Sequence, residues 1–309
     1  LEQTLGVVQL VAVRGIAALV AILLAVLLTL LALLSGPARR FFAGIAVLLL
    51  FFSVLTAGVP SIRGFAGGAF QTLADGDLVV LSWNTLGDSP GAERIADLAL
   101  AQEADVVALP ETSRETGEAV QALLAASGRP TQLLALQYDT ISKARSTMLL
   151  VSTDLGEYRL DESVGSTPTL PSVVAVPVVG SGPTIVAAHP VAPVPGEMSN
   201  WREGLAWLSE RCADPAADVI VAGDLNSTLD HWSPYGSDLG LAACHDAARA
   251  VGAAALGTWP TLMPTVLGSP IDHVLATDTW EVVGFRVIDA EDGSGSDHRP
   301  VVAQLRPAA

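Results

Sequence analysis

Asp224 and Asn226 close the stretch Asp218-Val219-Ile220-Val221-Ala222-Gly223-Asp224-Leu225-Asn226. Val219 to Ala222 is a short apolar run rich in β-branched residues, which suits a strand covered on both faces. Gly223 lets the backbone turn at its end, and residues two apart in extended chain project to the same side. A carboxylate then stands beside an amide where a sheet meets its loops. An Asx turn accounts for the pair equally well in isolation. The arrangement recurs, however: Asn84, Glu111, His189 and the Asp297-His298 pair each sit at the loop end of an apolar run, and Asp272 opens another. Loops at strand ends are where sites are built. Glu, Asp and Asn oxygens suit a hard cation such as magnesium, which keeps several waters and takes one or two protein carboxylates. Histidines with amides suit negative charge developing on a phosphoryl group.

The elements that must position these residues follow from periodicity. Strands are expected at 78–83, 105–109, 132–137, 147–152, 172–178, 184–188, 219–222, 271–276, 282–288 and 300–305. Helices are expected at 92–103, at 113–126 with Ser113 as cap, from an Asn200/Glu203 capping box to Arg211, and at 238–251. The sequence holds no internal repeat.

Charge divides the chain in two. Of 32 acidic and 16 basic residues, only Glu2 and the arginines 14, 39, 40 and 63 precede Asp75, leaving 31 acidic against 12 basic from Asp75 onward. Residues 1–59 read as a membrane region with two uncharged apolar spans, 15–35 and 41–59, each long enough to cross a bilayer as a helix. Both are apolar all round, unlike the single stripe of a core helix. Residues 60–76, rich in Gly, Ala and Ser, read as a linker, and 77–309 as the domain carrying the polar set. Arg39-Arg40 favours a cytoplasmic loop between the spans and an extracytoplasmic domain, although Arg14 and Arg63 flank the opposite ends. The chain begins at Leu1 and not Met, which leaves room for a preceding span. Cys212 and Cys244 do not form a metal-binding pattern. They either pair in an oxidising compartment or are two buried free thiols.

Asn84, Pro110-Glu111, His189, Gly223-Asp224-Leu225-Asn226, Ile271-Asp272-His273 and Gly295-Ser296-Asp297-His298-Arg299-Pro300 stand in an order and spacing that resembles the endonuclease/exonuclease/phosphatase superfamily, over about 78–305. With the hydrophobic leader and Thr258-Trp259-Pro260, the chain resembles the membrane-anchored, VanJ-type actinobacterial branch. The resemblance implies a DNase I-like four-layered α/β sandwich, two mixed β-sheets flanked by helices, preceded here by the two transmembrane helices. It also implies hydrolysis of a phosphate ester by water with one or two divalent cations, Mg2+ or Mn2+. By that analogy Glu111 is the main metal ligand, with Asn84 and Asp297 close to the metal or the phosphate. Asp224 orients or deprotonates the attacking water, and Asn226 holds a phosphoryl oxygen. His298 faces the scissile phosphate, positioned by Asp272, and His189 stabilises the transition state from the other side. Arg145, just before a strand, is a substrate-phosphate candidate. His273 should point to the opposite face from Asp272 and is structural, His231 and His245 read as surface residues, and Trp259 reads as a packed aromatic.

Three functions fit. A membrane-tethered phosphatase or phosphodiesterase acting on a membrane lipid or lipid-linked phosphate leads, because two spans hold the site near the bilayer. An extracytoplasmic nuclease is weaker, since tracking a nucleic-acid backbone needs a basic groove and no segment carries a Lys/Arg cluster. A non-catalytic membrane binding protein comes last, because the set of catalytic residue types is intact. Nothing in the sequence requires an obligate protein partner.

Overall fold

The computed structural model describes residues 2–67, 70–137, 141–180, 182–236 and 240–308. The chain opens with a short helix α1 (Val7–Ala12) and two long ones, α2 (Arg14–Leu34) and α3 (Arg39–Arg63). There follow β1 (Leu78–Ser82), α4 (Ala92–Ala101), β2 (Val106–Pro110), α5 (Arg114–Ala126), β3 (Thr131–Gln137), β4 (Ser146–Ser152), β5 (Tyr158–Leu160), β6 (Val173–Pro177) and β7 (Thr184–Ala188). The rest is α6 (Met198–Arg211), β8 (Val219–Asp224), β9 (Gly240–Leu241), β10 (Cys244–Asp246), α7 (Ala247–Ala250), β11 (Asp272–Ala276), β12 (Trp280–Val287) and β13 (Val301–Pro307).

The strands form two mixed sheets, ordered β12-β13-β1-β2-β4-β3 and β5-β6-β7-β8-β11-β10-β9. Period-two burial explains how the first sheet serves two cores. Leu78, Val80, Val106, Ala108, Leu149 and Val151 join the core shared with the second sheet, while Val79, Leu81, Val107, Leu109, Met148 and Leu150 pack with Ile95 of α4 and Val120 and Leu124 of α5. On the far side, Trp201, Leu205 and Leu208 of α6 cover the second sheet.

Both sheets repeat one plan. β1 and β2 run parallel, as β7 and β8 do, each pair joined through a helix. Antiparallel neighbours flank each pair: β13 beside β1, β4 beside β2, β6 beside β7 and β11 beside β8. The C-terminal ends of the parallel strands therefore meet the N-terminal ends of β11 and β13. In register, Asp272 lies opposite Asp224 and Val301 opposite Ser82. Gly223 does not turn the chain. It lies within β8, where a Cβ would sit 1.9 Å from the Ala188 carbonyl oxygen, so its lack of a side chain is what lets β7 and β8 approach.

Two expected elements are corrected. Only Ala247–Ala250 of the helix expected at 238–251 is helical, and residues 238 and 239 lie outside the described residues. Gly240–Leu241 and Cys244–Asp246 instead pair as a hairpin, with a Cβ on Gly240 only 1.9 Å from the Cys244 carbonyl oxygen, and Asp246 caps the short helix by accepting from Arg249 N. The helix expected to open at Asn200 begins at Met198, and the Asn200 amide bonds Glu197 Oε2 at 2.7 Å and Thr169 Oγ1 at 3.1 Å. Cys212, which ends α6, is disulfide-bonded to Cys244, 32 residues on. Closing such a loop restricts the unfolded chain by about 4 kcal/mol in the chain-entropy model.

α2 and α3 are long and apolar enough to cross a membrane. They pack through small residues, Ala18, Ala21, Ala25, Ala32 and Ala46, while Leu23, Leu33, Phe51 and Val54 face outward. α3 continues into the expected linker as far as Arg63, and the next residues follow the domain surface, Ala66 N donating to Gly252 O and Gln71 N to Gln304 Oε1. Both helices are tied to the domain at one carboxylate. Arg14, the first residue of α2, and Arg63, the last of α3, each donate two hydrogen bonds to Asp230, at 2.7–3.1 Å. Burial works against the Asp230 charge, yet the two guanidiniums hold its carboxyl below the usual range.

Asp77, at the entry to β1, accepts from Arg306 Nε and Nη2 at 2.8 Å each and from Gln304 Nε2 at 2.8 Å. The Arg306 hydrogen bonds hold its carboxyl well below the ordinary value of 3.8. A folded-state pKa below the unfolded one stabilises the fold above the unfolded value, and the gain is lost as pH falls through the folded value. Asp77→Asn should therefore lower the melting temperature at neutral pH, with the gap from the native chain closing below about pH 4. Thermal unfolding from pH 7 downward checks this, and a gap independent of pH would rule it out.

Candidate active site

At the converging strand ends, polar side chains from both sheets form one connected set. Asn84, just past β1 and fully buried, donates from Nδ2 to Glu111 Oε1 at 3.1 Å and to Asp224 Oδ2 at 3.0 Å. Its Oδ1 accepts from Leu86 N at 3.0 Å. Glu111 follows β2 with φ of 56°, a left-handed backbone that a non-glycine residue adopts at a cost. Thr85 Oγ1 and Gly87 N hold it there through the Glu111 carbonyl, at 2.9 and 3.0 Å. Asn226 has φ of 45°, and Trp201 Nε1 holds its carbonyl at 3.0 Å. Its side-chain Nδ2 donates to Pro190 O at 3.0 Å and to Asp224 Oδ2 at 3.2 Å, while its backbone N donates to Asp224 Oδ1 at 2.8 Å. Here Asn226 orients Asp224.

His298 lies across from this group. Its Nδ1 is 2.9 Å from Asp272 Oδ2, and its Nε2 is 3.7 Å from Asp224 Oδ2 and 3.9 Å from Asp297 Oδ1. Asp297 Oδ2 accepts from Trp259 Nε1 at 2.8 Å, so the aromatic read as packing filler orients a site carboxylate. Ser296 Oγ donates to Asn84 O at 2.7 Å and accepts from His298 N at 3.1 Å, stitching the β1 and β13 ends together. His189 is fully buried; both ring nitrogens lack a hydrogen-bond partner, and Nε2 is 3.8 Å from Glu111 Oε1. Arg145 makes no contact with this set among the described hydrogen bonds and ion pairs; it lies two residues before Thr147, which pairs with Pro110, and its charge acts on Glu197.

Burial sets the protonation states. It pushes Asp224 up, to about 7, against the pull of the His298 cation. It opposes charge on His298, but Asp272 and then Asp224 outweigh it and raise His298 to about 10. Burial and the neighbouring His298 charge push His189 down to about 3, so it enters neutral. A buried carboxylate raised above its usual range thus faces an imidazole whose charged form Asp272 favours, group types that suit general-base catalysis and charge stabilisation.

Two groups of donors fit a cation. Asp224, Asp272 and His298 offer ligand atoms within 4.8 Å of one another, but a cation there competes with the proton that Asp272 and Asp224 favour on His298. Outside that group stand the Glu111 carboxylate and Asp297 Oδ1, a buried atom with no hydrogen-bond partner that lies 3.9 Å from His298 Nε2. An oxygen donor set of this kind suits a hard divalent ion.

The other histidines divide. His273, read as structural, bonds Asp246 Oδ2 at 2.7 Å and Ser227 O at 2.9 Å on the far face of β11. His245 is partly exposed, 2.8 Å from Asp278 Oδ1. His231 is corrected: it is fully buried, its Nδ1 accepting from Thr228 N at 2.8 Å and its Nε2 3.1 Å from Val8 O, because α1 packs over the turn that carries it.

Two mixed sheets flanked by helices, with this polar set at their converging strand ends, make a DNase I-like fold. The chain belongs to the endonuclease/exonuclease/phosphatase family, whose model matches residues 81–298. Similar solved structures include an endonuclease/exonuclease/phosphatase from Beutenbergia cavernae, 22% identical, with TM-score 0.56, covering 75% of this chain and 72% of that one. Humanized D. rerio TDP2 is 16% identical with TM-score 0.54, covering 75% and 100%. The human Nocturnin catalytic domain with bound sulfate is 15% identical with TM-score 0.53, covering 77% and 97%. At these identities the likeness is one of fold. No curated protein matches the chain at a significant level.

Removing the base or the cation should cost catalysis and not folding. Asp224→Asn and His298→Ala are each expected to lower phosphate-ester turnover by about 10²–10⁴-fold with an unchanged circular dichroism spectrum. A variant that is folded and turns over near the native rate would take that residue out of the mechanism.

Proposed function

We propose that the protein is a membrane-tethered, divalent-metal-dependent phosphohydrolase that uses water to cleave a phosphate ester or diphosphate of a lipid-linked or envelope substrate. The observation that carries the reading is the clamp in which Arg14 and Arg63, bracketing the two apolar helices, meet on Asp230 of the catalytic domain. A site held this close to a bilayer works at high effective concentration on substrates anchored in it. The Cys212–Cys244 disulfide supports an extracytoplasmic domain, since such bonds persist in oxidising compartments. The exposed Arg39-Arg40 between the helices supports a cytoplasmic loop. The hydrophobic leader and Thr258-Trp259-Pro260 support the VanJ-like branch.

In this mechanism Glu111, together with Asp297, would hold magnesium or manganese, and Asn84 Nδ2 would orient the Glu111 carboxylate. The ion, when bound, neutralises charge on the phosphoryl oxygens. Asp224, kept in place by Asn84 and Asn226, takes a proton from the attacking water as the new P–O bond forms. His298, its imidazolium stabilised by Asp272, donates from Nε2 to the phosphoryl oxygen that gains charge. His189, neutral and unbonded, donates from the opposite side. The bond to the leaving oxygen then breaks, and that oxygen leaves with a proton from solvent. Arg145 meets a second phosphate or the headgroup.

Full-length protein purified in detergent is expected to release phosphate from a polyprenyl diphosphate with magnesium or manganese and to stop on addition of chelator. The excess of 31 acidic over 12 basic residues from residue 75 onward, with Glu2 and four arginines before it, favours this over cleavage of DNA. Cleavage of DNA alone would make the protein a nuclease.

A further inference from the structure

An apolar cavity of about 470 Å³ opens directly beside His298. Val194, Trp259 and Ile271 form its domain side, and Ala12 and Val13, where α1 meets α2, form its outer side. Among the described residues lining it, His298 is the only one that carries charge. Val194, on the domain side, is 48% exposed. The outer wall is built in, not draped: Val8 of α1 is fully buried, its carbonyl meets His231 Nε2 at 3.1 Å, and Gln9 Nε2 donates to Pro193 O at 2.5 Å. The segment that completes the cavity runs straight into α2, the first of the two apolar helices.

We propose that this cavity is a subsite for a hydrocarbon chain esterified to the phosphate, with α1 and the start of α2 as its outer wall. The inference rests on the phosphohydrolase reading above and adds where the apolar part of the substrate lies. A sugar or a second phosphate entering here would lose its hydration without finding charged partners. An alkyl chain gains from every methylene it buries. Its far end emerges beside the apolar helices, so such a substrate reaches the reacting centre while the rest of its chain stays among lipid tails. The N-terminal segment is then a specificity element as well as an anchor.

The test measures binding, in magnesium, of straight-chain alkylphosphonates from ethyl to octyl to the full chain in nanodiscs. Each added methylene should tighten binding about fourfold, the equivalent of about 0.8 kcal/mol, until the cavity is full. Val13→Trp and Val194→Trp fill it from opposite walls and should each flatten the dependence on chain length. Leu24→Trp, on the exposed face of α2, should retain it. Affinity indifferent to chain length in the native protein, or a dependence that survives in both filled variants, would overturn the subsite. Alkyl dependence without chelator-sensitive hydrolysis of any ester would keep the subsite and remove the catalytic reading.

Discussion

Asn84 Nδ2 donates to Glu111 and to Asp224, one carboxylate from each sheet. Two carboxylates that share one donor, Asp224 buried and Glu111 partly exposed, repel unless something with positive hydrogens stands between them. One side-chain amide does so, and the geometry on both sides follows from it. Glu111 is kept in a left-handed backbone, Asp224 takes further donors from Asn226, and His298 is left facing Asp224 with Asp272 behind it. Asn84 is itself fixed, because Ser296 ties its carbonyl to the segment that carries His298. The site is therefore a property of how two sheets abut.

That dependence explains which parts were legible in the sequence. Apolar runs ending in a polar residue identify β1, β2, β7 and β8, and a run opened by one identifies β11, because each strand is covered on both faces and its end is where hydration returns. The parallel pairing that collects those ends at one edge is not visible in periodicity; it entered through the resemblance carried by motifs such as Ser296-Asp297-His298. Local reasoning failed where distant segments decide. His231 looked like a surface residue since its partner, Val8, lies 223 residues away. The 238–251 stretch has helical composition, but the close approach of Gly240 to Cys244 and the disulfide to Cys212 draw it into a hairpin at the sheet edge. Asp230 carried no local signal either. Its meaning comes from two arginines that stand 49 positions apart at Arg14 and Arg63 and converge only in the folded chain.

The N-terminal helices and the domain meet by different physics. Between α2 and α3 the contact is steric, alanine against backbone with Ser53 Oγ donating to Ala18 O, which is how helices associate where burial of apolar surface offers no gain. Between the helices and the domain it is ionic and partly buried, with Asp230 satisfied by both guanidiniums. A buried carboxylate with two such partners fixes geometry more than it adds stability. That geometry fixes where α2 begins and α3 ends against the domain, while Val8 and Gln9 seat α1.

The same clamp alters the charge asymmetry of the hairpin. By residue count, Arg14 and Arg63 at one end balance Arg39 and Arg40 at the other, and topology is a near tie. In the folded protein the first pair shares a carboxylate counterion, while Arg39 and Arg40 stay solvent-exposed. On the proposed membrane reading, only the loop end then presents uncompensated cations to anionic headgroups, each attracted by about 1 kcal/mol. Asp230 would in that way act as a polarity marker, making an electrically symmetric hairpin one-sided once the domain has folded against it.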